Sequence, residues 1–190
     1  TTEIEKILGN RAPAFCFLTH VHFDHCGAVA AFKRRYPRME VVASHKAGEI
    51  LKRPSAVERI RYLNFAAEVL VKQIGVNGTP GAHFEPFDID RYVQERDCVE
   101  IAADCCIEVI ASPGHTWDCL SYRISDKNIL LSSEAAGQPD QTGYIVTDCL
   151  ADYDCYLRSL QQLKALTPDV LCPGHIFVFS AEDASAYLER

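Results

Sequence analysis

Residues 20–25 read His-Val-His-Phe-Asp-His, so three imidazoles and one carboxylate lie within six consecutive positions. His20 and His22 are two residues apart, and an extended backbone presents side chains at that spacing on the same side. Asp24 and His25 follow where an apolar pattern typical of a helix begins. Imidazole nitrogen combined with carboxylate oxygen suits zinc, iron or manganese. The run therefore favours a fold that holds these side chains around metal, and a merely polar loop is the alternative.

An apolar run precedes this segment, and a helical pattern follows it. Residues 14–18 predict a buried strand, and the residues from Asp24 to the one before Pro37 predict a helix with Asp24 as its cap. Further strands are predicted at 40–44, 98–101, 106–111, 120–124, 128–132 and 170–172, and further helices at 46–52, 55–75, 152–166 and 181–189. Strands mixed with packing helices indicate one α/β domain over residues 1–190.

Three further donors follow strands later in the chain. His115 and His175 each follow a Pro-Gly pair, where the glycine lets the chain turn closely beside a metal. Glu134 comes shortly after an apolar strand and places a carboxylate at its end. Asp140 and Asp148 are alternatives for this acidic ligand, but neither lies at the end of that strand. A pair of metal ions needs an acidic ligand nearby, and the strand-end position favours Glu134.

The order of these motifs resembles the metallo-β-lactamase superfamily. The chain has H-x-H-x-D-H at 20–25, P-G-H-T at 113–116, an acidic residue after a strand at 134 and P-G-H at 173–175. The resemblance implies a metallo-β-lactamase-type αββα sandwich with a dinuclear metal site. By position, the implied ligands are His20, His22 and His115 for the first metal, and Asp24, His25 and His175 for the second. Glu134 occupies the place of the family's bridging aspartate.

Two features depart from the family pattern. Most members have Gly-Asp where this chain has Ser133-Glu134, and the longer side chain either bridges both ions or binds only one. Several strands usually precede the first motif, whereas 19 residues precede His20 here. The expectation is an incomplete first sheet, either because the chain is a fragment of a longer one or because the protein is built that way. Proteins normally cover such an edge, so we expect a preceding or partner segment, a homodimer contact or an unusually exposed edge there.

The resemblance implies a metal-dependent hydrolase that attacks an ester-like bond (thioester, lactone or phosphodiester) with a hydroxide activated by two divalent ions. Zinc is the preferred ion, with iron and manganese as alternatives. Asp24 is expected to orient the hydroxide and pass on its proton. One alternative is a metal-binding sensor of the same fold with weak catalysis, which the glutamate at 134 keeps open. A diiron oxidoreductase ranks lower, because such members typically have a glutamate where this chain has His22.

Composition narrows the range of partners. The formal net charge of −7 disfavours nucleic acid, because phosphate binding needs a basic surface. No apolar stretch approaches the roughly 18 residues that span a bilayer, so no membrane partner is expected. A small-molecule substrate is the partner that remains. The nine cysteines form no C-x-x-C pair and predict buried, reduced thiols of a cytoplasmic protein rather than a disulfide framework.

Overall fold

The computed structural model describes residues 2–73 and 84–190. The chain divides into two compact units, Thr1–Tyr92 and Val93–Arg190. Both units contain β-strands together with helices, which confirms the predicted α/β class. None of the helices within these described residues is long and apolar enough to cross a membrane. A single domain over residues 1–190 stays a prediction.

The first unit is built on a sheet of three strands in the order β1-β2-β3. Its elements are α1 (Thr2–Leu8), β1 (Phe15–Phe17), α2 (Phe23–Cys26), α3 (Val29–Arg35), β2 (Glu40–Ser44), α4 (His45–Leu51), α5 (Pro54–Gln73) and β3 (Arg91–Val93). β1 and β2 run parallel, with Cys16 opposite Val41. A parallel pair needs a crossover connection, and α2 and α3 supply it. Val41, Val42 and Ala43 are completely buried, so β2 forms the centre of this core.

The predicted helix from Asp24 to the residue before Pro37 is wrong, because two shorter helices, α2 and α3, occupy the segment. The helix is interrupted at Gly27. A Cβ added at this position would lie 2.4 Å from Oδ1 of Asn64 on α5. Because glycine has no side chain, α5 can pack directly against this turn. Glycine also disfavours a continuous helix. Asp24 is not the cap either, because the N-cap of α2 is His22 and Asp24 lies in the first turn.

The second unit contains a six-stranded sheet in the order β11-β10-β7-β6-β5-β4 and a two-stranded ribbon of β8 and β9. Its elements are β4 (Cys98–Ala102), β5 (Cys105–Ala111), β6 (Leu120–Ile124), β7 (Ile129–Ser133), β8 (Gln138–Pro139), β9 (Ile145–Val146), α6 (Tyr153–Lys164), β10 (Val170–Pro173), β11 (Phe179–Ser180) and α7 (Glu182–Glu189). β7 and β10 are parallel neighbours. Their carboxyl ends therefore meet at one edge of the sheet, and Glu134 and His175 follow there.

The core of the second unit lies between this sheet and its helices. Leu130 of β7 and Leu171 of β10 are completely buried, and so are Leu163 of α6 and Ala184 of α7. These residues belong to one apolar cluster. The cluster fixes β7 and β10 against two helices, and it thereby fixes the strand ends that carry the acidic and histidine side chains.

One disulfide joins Cys98 of β4 to Cys106 of β5, so the expectation of reduced thiols is wrong for this pair. The two cysteines lie eight residues apart in the sequence, and their Cα atoms are 5.7 Å apart. The antiparallel pairing of β4 with β5 brings them together, with Cys106 opposite Glu100. A search for C-x-x-C spacing cannot detect a bond made across a hairpin. Cys119 is a buried thiol, as predicted.

Candidate metal centre

The run at 20–25 leaves the carboxyl end of β1 and turns into α2. The amide of Leu18 donates to the carbonyl of Val42 at 2.8 Å, which keeps the chain extended toward the first histidine. The ring centroids of His20 and His22 are 4.6 Å apart. The amide of His25 donates to the carbonyl of His22 at 3.1 Å. This turn brings the ring of His25 back to 4.3 Å from that of His20.

Asp24 adds a carboxylate to this cluster. Its Oδ2 lies 3.6 Å from Nε2 of His25, and its side chain is 37% exposed. The ligand atoms of Asp24 and His25 lie within 4.8 Å of one another, as do those of His20 and His22 and those of His20 and His25. The first unit thus brings together all four side chains that the run predicts as ligands. His20 forms the buried side of the cluster, and Asp24 forms its exposed side.

Thr19 fixes the ring of His20. The Thr19 hydroxyl is 3.1 Å from Nδ1 of His20, and His20 is completely buried. Because Nδ1 is engaged in this hydrogen bond, Nε2 is the ring nitrogen that can bind a metal. Thr19 is not predicted from the sequence, although its position directly before the first histidine is a signal that could identify it.

His115 is buried in the second unit and is held by a backbone carbonyl. Its Nδ1 lies 2.6 Å from the carbonyl oxygen of Asp148. A carbonyl can only accept, so Nδ1 carries the proton and Nε2 has the lone pair that a metal requires. The Asp148 carboxylate lies 3.6 Å from the same Nδ1. Asp148, an alternative acidic ligand from the sequence, therefore contacts the opposite side of the ring from Nε2.

Glu134 and His175 lie against each other where β7 and β10 end. Nε2 of His175 is 2.9 Å from Oε1 of Glu134, whose side chain is only 1% exposed. Gly174 makes the space for this contact, since a Cβ at that position would lie 2.5 Å from Oε1 of Glu134. The sequence predicts that this glycine lets the chain turn closely beside a metal. In the structure, its missing side chain accommodates the glutamate.

The competing carboxylate of Asp140 is used by its own loop. Its Oδ1 accepts from the amide and the hydroxyl of Thr142, both at 2.7 Å, and from the amide of Tyr144 at 3.0 Å. The hydrogen bond from the Thr142 side chain, together with those from backbone amides, holds the pKa of Asp140 below its ordinary value. Asp140 therefore stabilises the turn between β8 and β9.

A series of buried hydroxyls leads to Glu134. The Ser112 and Ser121 hydroxyls are 2.8 Å apart, and Ser121 donates to the carbonyl of Ser132 at 3.2 Å. Ser132 donates to the carbonyl of Ser133 at 3.3 Å, and the Ser133 hydroxyl donates to Oε2 of Glu134. The carboxylate is therefore oriented by its own neighbour in the sequence. Buried polar groups of this kind fix one arrangement when each finds a partner.

Tyr156 of α6 holds the backbone of the same residue. Its hydroxyl donates to the carbonyl of Glu134 at 2.9 Å. Burial raises the pKa of Tyr156 above its ordinary value, so this hydroxyl keeps its proton at neutral pH. Burial also raises the pKa of the Cys119 thiol to about 12. The Tyr156 hydroxyl and the Cys119 thiol are thus both neutral at neutral pH.

The donors in each unit fit divalent metal binding. They are imidazole nitrogens and carboxylate oxygens, which zinc, iron and manganese accept. Thr19 and Asp148 engage the Nδ1 atoms of two of the histidines, as outer partners of metal-binding histidines commonly do. A carboxylate as buried as that of Glu134 is costly unless positive charge and hydrogen bonds compensate it. Metal binding would supply that charge.

A family model described as the metallo-beta-lactamase superfamily matches residues 15–175. Among curated proteins, the acyl-coenzyme A thioesterase MBLAC2 of Homo sapiens is 26% identical in an alignment 191 positions long, and the match covers 95% of this chain and 63% of that protein. The chain thus spans less than two thirds of the length of this relative. The matched range contains every residue that the sequence predicts as a metal ligand.

Solved structures share the fold at low sequence identity. A metallo-beta-lactamase superfamily protein from Sulfolobus tokodaii is 20% identical with a TM-score of 0.69, and the match covers 92% of this chain and 64% of that one. The protein TTHA1623, solved in a di-iron-bound form, is 20% identical with a TM-score of 0.59, covering 93% of this chain and 79% of that one. These matches confirm the fold that the order of motifs predicts.

Proposed function

This chain belongs to the metallo-β-lactamase superfamily, and we propose that it is a metal-dependent hydrolase of acyl-coenzyme A thioesters. The observation that carries the proposal is the placement of the donors. The first unit gathers four of them in the run at 20–25, and the second holds Glu134 against His175. The name of the human relative, an acyl-coenzyme A thioesterase, favours a thioester over a lactone or a phosphodiester.

The proposed centre holds two divalent ions. His20, His22 and His115 are the proposed ligands of the first ion, and Asp24, His25 and His175 those of the second. Glu134 is proposed as a ligand of the second ion because it lies beside His175, with a bridge between both ions as the alternative. Zinc is the preferred metal, iron is supported by the di-iron form of TTHA1623, and manganese is a further alternative.

When bound, the ions would lower the pKa of a water molecule and polarise the thioester carbonyl. Asp24, whose carboxylate is on the exposed side of the cluster, would accept a proton from the hydrolytic water and pass it to the departing thiolate. Hydrolysis would form a bond between the water oxygen and the carbonyl carbon and break the carbon–sulfur bond, giving a carboxylic acid and a thiol. Thr19 and Asp148 keep the rings of His20 and His115 in the orientation that this step needs.

A metal-binding sensor with weak catalysis is the second candidate function. The glutamate at position 134, where most members have aspartate, favours it. A diiron oxidoreductase ranks lower because of His22. We further propose a small-molecule substrate rather than nucleic acid, in view of the net charge of −7. We also propose a cytoplasmic location. We further propose that a homodimer contact or a preceding segment covers the edge strand β1.

The test compares His22→Gln with His45→Gln. His45 lies outside the proposed ligand set and stacks on Tyr92 with ring centroids 4.8 Å apart. The parent protein, purified without added metal, should contain about two ions per chain by elemental analysis. His22→Gln should lose one ion and reduce hydrolysis of an acyl-coenzyme A panel by about 100-fold. His45→Gln should retain both ions.

A parent protein without metal would overturn the centre itself. Two ions without hydrolysis of any thioester, in the presence of zinc, manganese or iron, would support the sensor instead. Equal metal loss in both variants would show that the effect of His22→Gln is general unfolding.

A further inference from the structure

A cavity of about 460 Å³ lies within the second unit, between the loop that joins β8 to β9 and the segment that leads into α7. Small-molecule sites commonly have volumes of roughly 300–1,000 Å³. The less polar part of the lining of this cavity consists of Pro139, Phe177, Phe179, Ala186 and Tyr187. The predicted metal ligands are not among the described residues that line it, so the ligand set does not account for the cavity.

A strained turn leads the chain from His175 into this cavity. Ile176 has φ 64, and the amide of Phe177 donates to the carbonyl of His175 at 2.8 Å. Together these define a γ-turn with positive φ, which is rare, and a β-branched residue tolerates it poorly. Strain of this kind persists only where the surroundings enforce it, and it is concentrated at functional sites. The turn sets the position of Phe177 two residues after a proposed ligand.

Aromatic rings form one wall of the cavity. The ring centroids of Phe177 and Phe179 are 6.1 Å apart, and those of Phe179 and Tyr187 are 4.6 Å apart in a stack. Phe179 is the first residue of β11, Phe177 precedes that strand by two residues, and both line the cavity. Tyr187 is 5% exposed and packs into the core of the unit. The wall is therefore anchored at one end and begins close to His175 at the other.

The charged groups in the lining disfavour an anionic ligand. Asp140 and Asp183 are acidic and Arg190 is basic, so two negative charges accompany one positive charge. The guanidinium of Arg190 already donates to the carbonyl of Gly143 at 2.7 Å. The nucleotide phosphates of coenzyme A would meet a lining of net negative charge. An alkyl chain would meet aromatic rings.

We propose that this cavity binds the acyl chain of the thioester substrate, with Phe177 and Phe179 as the residues that set its preferred length. The proposal rests on the proposed thioesterase function. An acyl chain whose carbonyl lies beside His175 can enter the cavity along Phe177, because the strained turn makes the two residues near neighbours. Each methylene that becomes buried tightens binding by about four-fold.

The experiment fills the cavity from α7. Ala186 lines it, whereas its exposed neighbour Ser185 does not, so Ala186→Trp and Ser185→Trp are matched variants on one helix. The probes are non-hydrolysable S-alkyl coenzyme A thioethers with two, eight and sixteen carbons, measured by calorimetry on the metal-loaded protein. The parent and Ser185→Trp should bind longer chains more tightly. Ala186→Trp should reduce the ratio of sixteen-carbon to two-carbon affinity by at least about 16-fold, the equivalent of two methylenes.

An affinity that is independent of chain length in the parent, or an equal loss at all lengths in Ala186→Trp, would overturn the proposal. Hydrolysis of two-carbon and sixteen-carbon acyl-coenzyme A, measured in parallel, separates this failure from that of the proposed function. Turnover without any change of length preference in Ala186→Trp removes the acyl site alone. Length-dependent thioether binding without turnover of any thioester removes the thioesterase function and retains the cavity as an alkyl-binding site.

Discussion

At Ser133 the backbone conformation favours glycine, whereas the side chain makes a hydrogen bond that glycine cannot make. Its φ of 51 and ψ of −146 lie near a region that is essentially restricted to glycine. Its hydroxyl donates to Oε2 of Glu134, an interaction that glycine cannot make. Most members of the family have glycine at this position, followed by aspartate. This chain therefore combines a longer acidic side chain with a neighbouring hydroxyl that orients it, and it accepts backbone strain at the same position.

Two substitutions separate these effects. Ser133→Ala removes the hydroxyl and keeps the strain, whereas Ser133→Gly removes both. We expect Ser133→Gly to be more stable than Ser133→Ala by about 1 kcal/mol, since relief of strain exceeds the greater chain entropy that glycine has in the unfolded state. Urea unfolding of the metal-free proteins measures the difference. Equal free energies of unfolding for Ser133→Ala and Ser133→Gly would show that the backbone at position 133 is not strained.

The residue types of the metal centre could be predicted from sequence because histidines and carboxylates carry their chemistry in their side chains. The contacts that position these side chains could not be predicted from the sequence. The partner of His115 is a backbone carbonyl at Asp148, 33 residues away, and a carbonyl gives no signal in the sequence. The close contact between Gly174 and Glu134 could not be predicted from the sequence either, because it depends on how β7 and β10 pair.

At the scale of elements, α6 shows how one cap fixes a helix that supports the site. Asp152 is its N-cap and accepts from the amide of Cys155 at 2.7 Å. The hydrogen bond from this amide lowers the pKa of Asp152 below its ordinary value. One turn into the helix, Tyr156 donates to the carbonyl of Glu134. The capping residue thus contributes to the position of a proposed metal ligand through the helix.

The cap predicts a dependence of stability on pH. Because the folded state lowers the pKa of Asp152, its contribution is complete above the ordinary aspartate pKa and disappears as the pH falls through the lowered value. Asp152→Asn retains a capping oxygen but does not titrate there. We expect the Tm of the parent to exceed that of Asp152→Asn at pH 7 and the gap to narrow below about pH 4. A gap that is constant with pH would contradict the charge effect.

The bounds of many elements could be predicted to within two residues, because apolar periodicity is a local property, whereas the short elements α1, β3, β8, β9 and β11 were not predicted. The strands predicted at 40–44 and 120–124 match β2 and β6 to the residue. The prediction failed where a distant contact decides the structure. Gly27 interrupts a helix because α5 packs on it, and the Cys98–Cys106 disulfide depends on the pairing of two strands. The end of the helix predicted at 55–75 lies outside the described residues, beyond Gln73.

At the scale of the molecule, the predicted ligands are divided between the two units. The first unit carries His20, His22, Asp24 and His25, and the second carries His115, Glu134 and His175. Each unit has an apolar cluster of its own, so neither depends on metal for its core. In the proposed centre, however, the free energy of metal binding adds to the stability of the folded chain.

Metal removal should therefore lower the stability of the protein. At free zinc 100 times the dissociation constant, one site contributes about 2.7 kcal/mol, which for a chain of this size corresponds to roughly 5–11 °C in Tm. Dialysis against a chelator should lower the Tm by at least this amount, and zinc should restore it. Magnesium should not, because it prefers oxygen ligands in octahedral geometry. An unchanged Tm after complete metal removal would count against the proposed centre.

The contact between Gly174 and Glu134 also constrains how this sequence can change. A Cβ at position 174 would lie 2.5 Å from Oε1 of the glutamate, so alanine there forces the carboxylate away from His175. An aspartate at position 134 would be shorter by one methylene and would leave room for that alanine. The two positions are therefore epistatic, and the order of substitution matters. A lineage that shortens residue 134 first can then vary residue 174 without a clash, whereas one that keeps the glutamate would displace its carboxylate when the glycine is replaced.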